Sequence, residues 1–166
     1  MNPYLYFGIL FGLALLQSTV MPKVTLLGVH PDLLLMAVTS WSLLRGSEEG
    51  MLWALVGGVA LDLFSAAPFG IYSLGLLLIG FAAGLGQRNM LRIDILAPIL
   101  VIPLSTLVYL LVTMALLTLL GWEMEWGARL RTVLLPSILI NSLGMPFVYL
   151  PARLLHHRIA REEISW

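Results

Sequence analysis

Residues 95–122 read ILAPILVIPLSTLVYLLVTMALLTLLGW, a run without a single charged side chain. A membrane-spanning helix needs about 20 consecutive apolar residues, so this run is long enough to cross a bilayer. Three further runs share this property, namely 1–22, 63–87 and 132–152. All four are continuously apolar, whereas the strands of a membrane β-barrel alternate between polar and apolar positions. The pattern therefore predicts an all-α integral membrane protein.

The composition of the whole chain agrees with this prediction. Of its 166 residues, 60% are hydrophobic and only 11% are charged, and the mean hydropathy is +0.97. An ordinary soluble domain is about 45–50% apolar and about 25% charged. The composition thus excludes a soluble enzyme, a nucleic-acid-binding domain and a disordered protein. The chain also lacks cysteine, which excludes disulfides and thiolate metal sites.

Two shorter apolar runs, 33–44 and 50–61, flank a polar turn at 45–50 and predict a helical hairpin. The hairpin either crosses the membrane fully or is re-entrant, and both versions return the chain to the side that it left. The prediction is then a six-transmembrane-helix bundle in a single domain, 1–166. Its helices are expected at about 3–21, 31–45, 48–64, 70–87, 95–120 and 132–153, followed by a short tail, 154–166.

The basic residues predict the orientation of this bundle, because cytoplasmic loops carry an excess of Lys and Arg. With a cytoplasmic C-terminus, most of the cations lie inside: Arg45, Arg88, Arg92, Arg153, Arg158 and Arg161. Lys23, Arg129 and Arg131 then lie outside. We therefore expect a multi-pass protein with both termini in the cytoplasm.

Two acidic residues lie near the expected outer ends of the hairpin helices. Pro31 and Asp32 form a favourable helix start, since Asp complements the positive end of the helix dipole. Asp62 is either a buried acid that anchors the loop 63–70 or binds a partner, or an interfacial carboxylate that is solvated or caps backbone N–H groups. Paired acids in a membrane also suggest an aspartyl protease, but the Tyr-Asp and Gly-x-Gly-Asp contexts of such enzymes are missing.

Small residues and prolines mark positions where helices pack closely or bend. Gly8 and Gly12, and likewise Gly80 and Gly84, form small-x-x-x-small pairs that serve either internal packing or the docking of a partner helix. The last two predicted helices contain prolines that should bend them: Pro103, Pro136, Pro146 and Pro151. The carbonyls that these prolines leave unpaired need partners, and Asn141 is close in sequence.

Motifs of known catalytic chemistry are missing from the chain. It has no Walker A loop, no His-Glu-x-x-His, no Gly-x-Ser-x-Gly and no Ser-x-x-Lys. We therefore predict a protein that is not an enzyme, with no catalytic residue, no metal ligand and no cofactor-binding residue.

Two short stretches of the sequence carry a family resemblance. One is Gly57-Gly58-Val-Ala-Leu-Asp62-Leu-Phe-Ser-Ala-Ala-Pro68-Phe-Gly70, in which Gly, Asp and a later Gly follow one another at the end of the third helix. The other is the helix entry Pro31-Asp32-Leu33-Leu34-Leu35. With these motifs, its size and its hydropathy, the chain resembles the MreD family of bacterial rod shape-determining membrane proteins over nearly its whole length.

The resemblance implies a scaffold of the cell-elongation (rod) complex in the bacterial cytoplasmic (inner) membrane, surrounded by lipid. Its implied partners are the bitopic protein MreC, the actin-like MreB, the glycosyltransferase RodA and a class B penicillin-binding protein. Through MreC the scaffold would be linked to peptidoglycan synthesis. We then expect Gly80→Leu or Gly84→Leu to weaken co-purification with MreC.

The fold of such proteins is similar to the substrate-binding component of energy-coupling-factor vitamin transporters. The alternative function is therefore a small-molecule-binding or transport protein, with its ligand near Asp32, Asp62 and the outer loops.

Overall fold

The computed structural model describes residues 3–87 and 96–163, and within them the protein consists of helices joined by loops, with no β-strand. The first five helices are α1 (Pro3–Thr19), α2 (Leu33–Arg45), α3 (Ser47–Phe64), α4 (Ile71–Leu85) and α5 (Leu96–Leu119). The sixth, α6, has three consecutive parts: α-helical Trp126–Arg129, a π-helical turn Leu130–Leu134 and α-helical Leu135–Glu163. The predicted all-α class is confirmed for the described part of the chain.

Among the residues that the structure describes, two helices are long and apolar enough to cross a membrane, Ala97–Leu119 and Trp126–Arg158. Two more are apolar but shorter, Leu33–Arg45 and Ile71–Leu85. The predicted inner turn with Arg88 and Arg92 lies outside the described residues, as does the predicted start of the fifth helix at residue 95.

The sixth helix is longer at both ends than the sequence analysis predicted. It begins at Trp126 instead of 132 and continues to Glu163 through much of the predicted tail. Charged side chains such as Arg129 end an apolar run but do not end a helix. The π-helical turn ends two residues before Pro136, whose ring and missing N–H disfavour a regular turn at this point.

Helix α2 lies at the centre of the bundle and packs against all five other helices. Every side chain from Leu34 to Leu43 is buried. With 13 residues, α2 is about 20 Å long, which is shorter than the roughly 30 Å hydrocarbon core of a bilayer. The surrounding helices α5 and α6 are longer, so they extend past its end.

Helices α3 and α4 form the closest pair in the bundle because glycines line their contact. A Cβ atom added at Gly80 would lie 2.7 Å from the Gly50 carbonyl oxygen, and one added at Gly84 would overlap the backbone of Ser47. At one end of this interface the Ser47 hydroxyl donates a hydrogen bond to the Phe81 carbonyl, at 3.1 Å. A larger residue at either glycine would force the two helices apart.

Aromatic side chains attach α1 to α2 and α3. The Trp41 and Trp53 rings are stacked with centroids 4.3 Å apart, and the Tyr6 ring packs edge-on against both. The Trp41 indole N–H donates to the Glu49 carboxylate at 3.1 Å. Glu49 also forms an ion pair with Arg45 at 3.5 Å, which fixes the charged groups at this end of the bundle.

Candidate functional site

A polar cavity of about 490 Å³ lies at the N-terminal end of α2. It forms because α2 is short, while α5 and α6 continue past its first residue. Its walls include polar side chains from four parts of the chain: Gln17, Asp32, Thr106, Tyr109, Ser137 and Asn141. Apolar side chains such as Leu110 and Met114 complete the walls, so the cavity presents both polar and aliphatic surface.

Side chains of neighbouring helices satisfy the first backbone N–H groups of α2. The Asp32 N–H donates to Asn141 Oδ1 at 2.9 Å, and the Leu33 N–H donates to Gln17 Oε1 at 2.7 Å. The Asn141 amide also donates to Thr106 Oγ1 at 3.2 Å. Because the first N–H groups of a helix have no partner within it, these bonds fix α1, α5 and α6 around the start of α2.

Asp32 is the N-cap of α2, as the sequence analysis predicted. Its Oδ1 atom accepts a hydrogen bond from the Leu35 N–H at 3.0 Å. Asp32 therefore holds the helix end and also lines the cavity.

Asp62 is buried, with 4% of its surface exposed, and it caps the helix that follows its own. One carboxylate oxygen accepts from the Tyr72 N–H at 3.0 Å, and the other accepts from the Ser73 N–H at 3.1 Å and from the Ser73 hydroxyl. The arrangement combines features of both alternatives from the sequence: the acid is buried and anchors the loop 63–70, and it does so by capping backbone N–H groups.

Other residues of the stretch 57–70 allow the Asp62 carboxylate to cap α4. Gly58 lies one turn before Asp62, and a Cβ atom there would come within 2.5 Å of Ser73 Cα. The start of α4 can therefore approach α3 closely enough for the Asp62 carboxylate to reach it. Gly70 is the N-cap of α4 with φ +100°, a left-handed conformation that favours glycine. Pro68 lies half-buried in the connecting loop.

The two acids do not form a paired carboxyl site. The Asp62 carboxylate is occupied by the start of α4, and no hydrogen bond joins it to Asp32 among the described residues. Only Asp32 lines the cavity. A ligand near both acids stays a prediction: Asp32 lines the cavity, and so do Leu61 and Ser65 on either side of Asp62 in the sequence, while the Asp62 carboxylate itself points into the α3–α4 contact.

A second feature is an apolar groove between α1 and α3. It consists of two adjoining hollows of about 350 and 520 Å³ that share Phe7 and Val56. Phe7 and Phe11 on one side are 56% and 47% exposed, and Leu55 on the other is 44% exposed. Gly8 lines the groove, and a Cβ atom added at Gly8 or Gly12 would meet nothing within 4 Å.

The two glycine pairs thus have different surroundings, although the sequence made them look alike. Gly80 and Gly84 are buried against α3 and serve internal packing. Gly8 and Gly12 face open space. Bulky residues at Gly80 or Gly84 would first disturb the α3–α4 contact, so the weaker co-purification with MreC stays a prediction and Gly8 is the sharper position for a test of docking.

The sequence analysis missed the contribution of α5 and α6 to the cavity. Thr106 and Tyr109 lie on one face of α5, and Ser137 and Asn141 lie on one face of α6. Their spacing of three or four residues is the signal that could have identified them, since such residues share a helix face. Asn141 was expected to serve carbonyls of its own helix, but it binds the backbone of Asp32 instead.

Comparison with known proteins gives one match. The family model described as rod shape-determining protein MreD matches residues 1–158. No curated protein and no solved structure matches the chain. The match covers nearly all of the sequence, including every residue of the cavity and of the groove. The chain belongs to the MreD family of rod shape-determining proteins.

Proposed function

We propose that the protein is a non-catalytic membrane scaffold of the rod complex, which binds the transmembrane helix of MreC in the groove between α1 and α3. Family membership supports a role in rod-shape determination. The observation that carries the proposal is the open space at Gly8 in an otherwise apolar groove. Apart from the Glu49 carboxylate and the Tyr6 hydroxyl, the side chains that line this groove are apolar, which suits an apolar partner helix.

The physical basis of binding would be close packing. Lipid tails are as apolar as leucine, so helices associate in membranes through van der Waals contact where small residues let backbones approach. Gly8 and Gly12 supply such residues on α1. The exposed rings of Phe7 and Phe11 flank them and would contact the sides of the partner helix.

The same proposal includes the other proteins of the rod complex. MreC bound in the groove would link the scaffold to peptidoglycan synthesis, with MreB, RodA and a class B penicillin-binding protein as further partners. The helices would cross the inner membrane with both termini in the cytoplasm, which the distribution of basic residues supports. The chain would guide this assembly through contacts, without a chemical step of its own.

Replacing Gly8 with leucine tests the proposal. The new side chain would fill the groove and leave the bundle intact, since nothing lies within 4 Å of its Cβ position. Overpacking an interface costs about 1–3 kcal/mol, so we expect roughly tenfold less MreC in co-purification from detergent. The thermal unfolding temperature of the protein should stay unchanged.

Ala82→Leu is the matched control, because Ala82 is an exposed small residue on α4, away from the groove. It adds three carbon atoms, one fewer than Gly8→Leu, and should leave co-purification unchanged. Equal amounts of MreC with Gly8→Leu and with the unaltered protein would reject the groove as the binding surface.

A further inference from the structure

The cavity at the start of α2 presents both polar and apolar groups to an occupant. Its volume of about 490 Å³ falls in the range of small-molecule sites, roughly 300–1,000 Å³. Gln17, Thr106 and Asn141 already take part in hydrogen bonds within the protein, whereas Asp32 Oδ2 accepts none from a described residue. A lipid chain in this space would leave that carboxylate oxygen without a partner, at a cost of about 1–3 kcal/mol.

Two charged groups of opposite sign line the same cavity. Asp32 contributes a carboxylate, and only its Oδ1 atom accepts a hydrogen bond from a described residue. Arg129 contributes a guanidinium from the first turn of α6 and is exposed. No ion pair joins either residue to another described side chain, although the His30 imidazole acts on Asp32 through space.

Aliphatic side chains form the remaining surface between these charges. Leu35 and Leu61 lie towards the centre of the bundle, and Leu110, Met114 and Val133 come from α5 and α6. A molecule that fits all of these walls has a cationic end, an anionic end and aliphatic side chains between them.

We propose that this cavity binds a small zwitterion of the short-peptide class, with its ammonium group at Asp32 and its carboxylate at Arg129. The proposal goes beyond the scaffold role and does not depend on it, because the cavity and the α1–α3 groove share no lining residue. The charge distribution predicts that the cavity faces away from the cytoplasm.

The test uses the full chain in lipid nanodiscs and three probes. Alanyl-leucine carries both charges, N-acetyl-alanyl-leucine lacks the ammonium group, and alanyl-leucinamide lacks the carboxylate. Calorimetric titration should give an affinity for alanyl-leucine that is about tenfold or more above that for either blocked probe. Native mass spectrometry of the same sample should show one bound peptide for each chain.

Two variants test whether Asp32 binds the ammonium group of the peptide and Arg129 binds its carboxylate. Asp32→Asn keeps a residue that caps helices well, and it should remove the preference for alanyl-leucine over the N-acetyl probe. Arg129→Gln should remove the preference over the amide probe. Arg131→Gln is the control, since Arg131 is also exposed on α6 but does not line the cavity, and it should change neither.

Three results would overturn the proposal: no saturable binding of alanyl-leucine at millimolar concentration, equal binding of the three probes, or retention of lipid alone. Unfolding temperatures of the variants show whether a loss of binding comes from a loss of fold. Co-purification with MreC is measured separately, so failure of the peptide site leaves the scaffold proposal standing.

Discussion

Asp32 and Asp62 show how the same side chain serves two different purposes at helix ends. Asp32 caps its own helix, α2, and its side chain also lines the cavity at the start of that helix. Asp62 caps the following helix and is enclosed between α3 and α4. A carboxylate is a strong acceptor for the positive end of a helix, so both residues hold the bundle together at its predicted outer side.

Removing the Asp62 carboxylate should therefore destabilise the protein. In Asp62→Ala, the Tyr72 and Ser73 N–H groups lose their partner in a buried place. Each buried group left unsatisfied costs about 1–3 kcal/mol, so we expect a clearly lower thermal unfolding temperature in detergent. Glu123→Ala, at an exposed position, is the control. An unfolding temperature equal to that of the unaltered protein would show that the cap contributes nothing to stability.

At the scale of elements, the distance between helices depends on which glycines face a neighbour. Helices α3 and α4 approach closely at Gly50, Gly58, Gly80 and Gly84, where a Cβ atom would meet the opposite helix. Helix α1 presents Gly8 and Gly12 to open space instead. Glycines that face a neighbouring helix thus allow the close packing of α3 and α4, whereas glycines that face open space leave α1 without such a contact.

A pair of alanine substitutions distinguishes these environments. Gly58→Ala places a methyl group against Ser73 Cα, and we expect a loss of about 1–3 kcal/mol in the free energy of unfolding from overpacking. Gly12→Ala meets no neighbour and removes a glycine from a helix interior, which should gain about 1 kcal/mol or leave stability unchanged. Equal effects of the two changes on chemical denaturation would contradict the packing described here.

The sequence predicts some of these elements well and others poorly, for physical reasons. Apolar runs and the Pro31-Asp32 start locate α2 because both signals are local. The length of α6 was underestimated, since charges such as Arg129 limit the apolar run while the helix continues. The bond from Asn141 to Asp32 joins residues 109 positions apart, so no local pattern could reveal it. The roles of the glycine pairs likewise depend on which helices become neighbours.

For the whole molecule, a short central helix inside a ring of longer ones explains both surfaces. The end of α2 leaves the cavity, and the hollows between α1 and α3 form the groove. The cavity and the groove share no lining residue, so the proposed partner helix and the proposed ligand would not compete for the same surface.

The most direct test of the scaffold account is site-specific photocrosslinking to MreC in cells that produce both proteins. A photoreactive residue at Leu55, in the groove, should capture the MreC transmembrane helix. The same residue at Leu139, exposed on the far helix α6, should capture none. Capture of MreC from Leu139 but not from Leu55 would contradict the account.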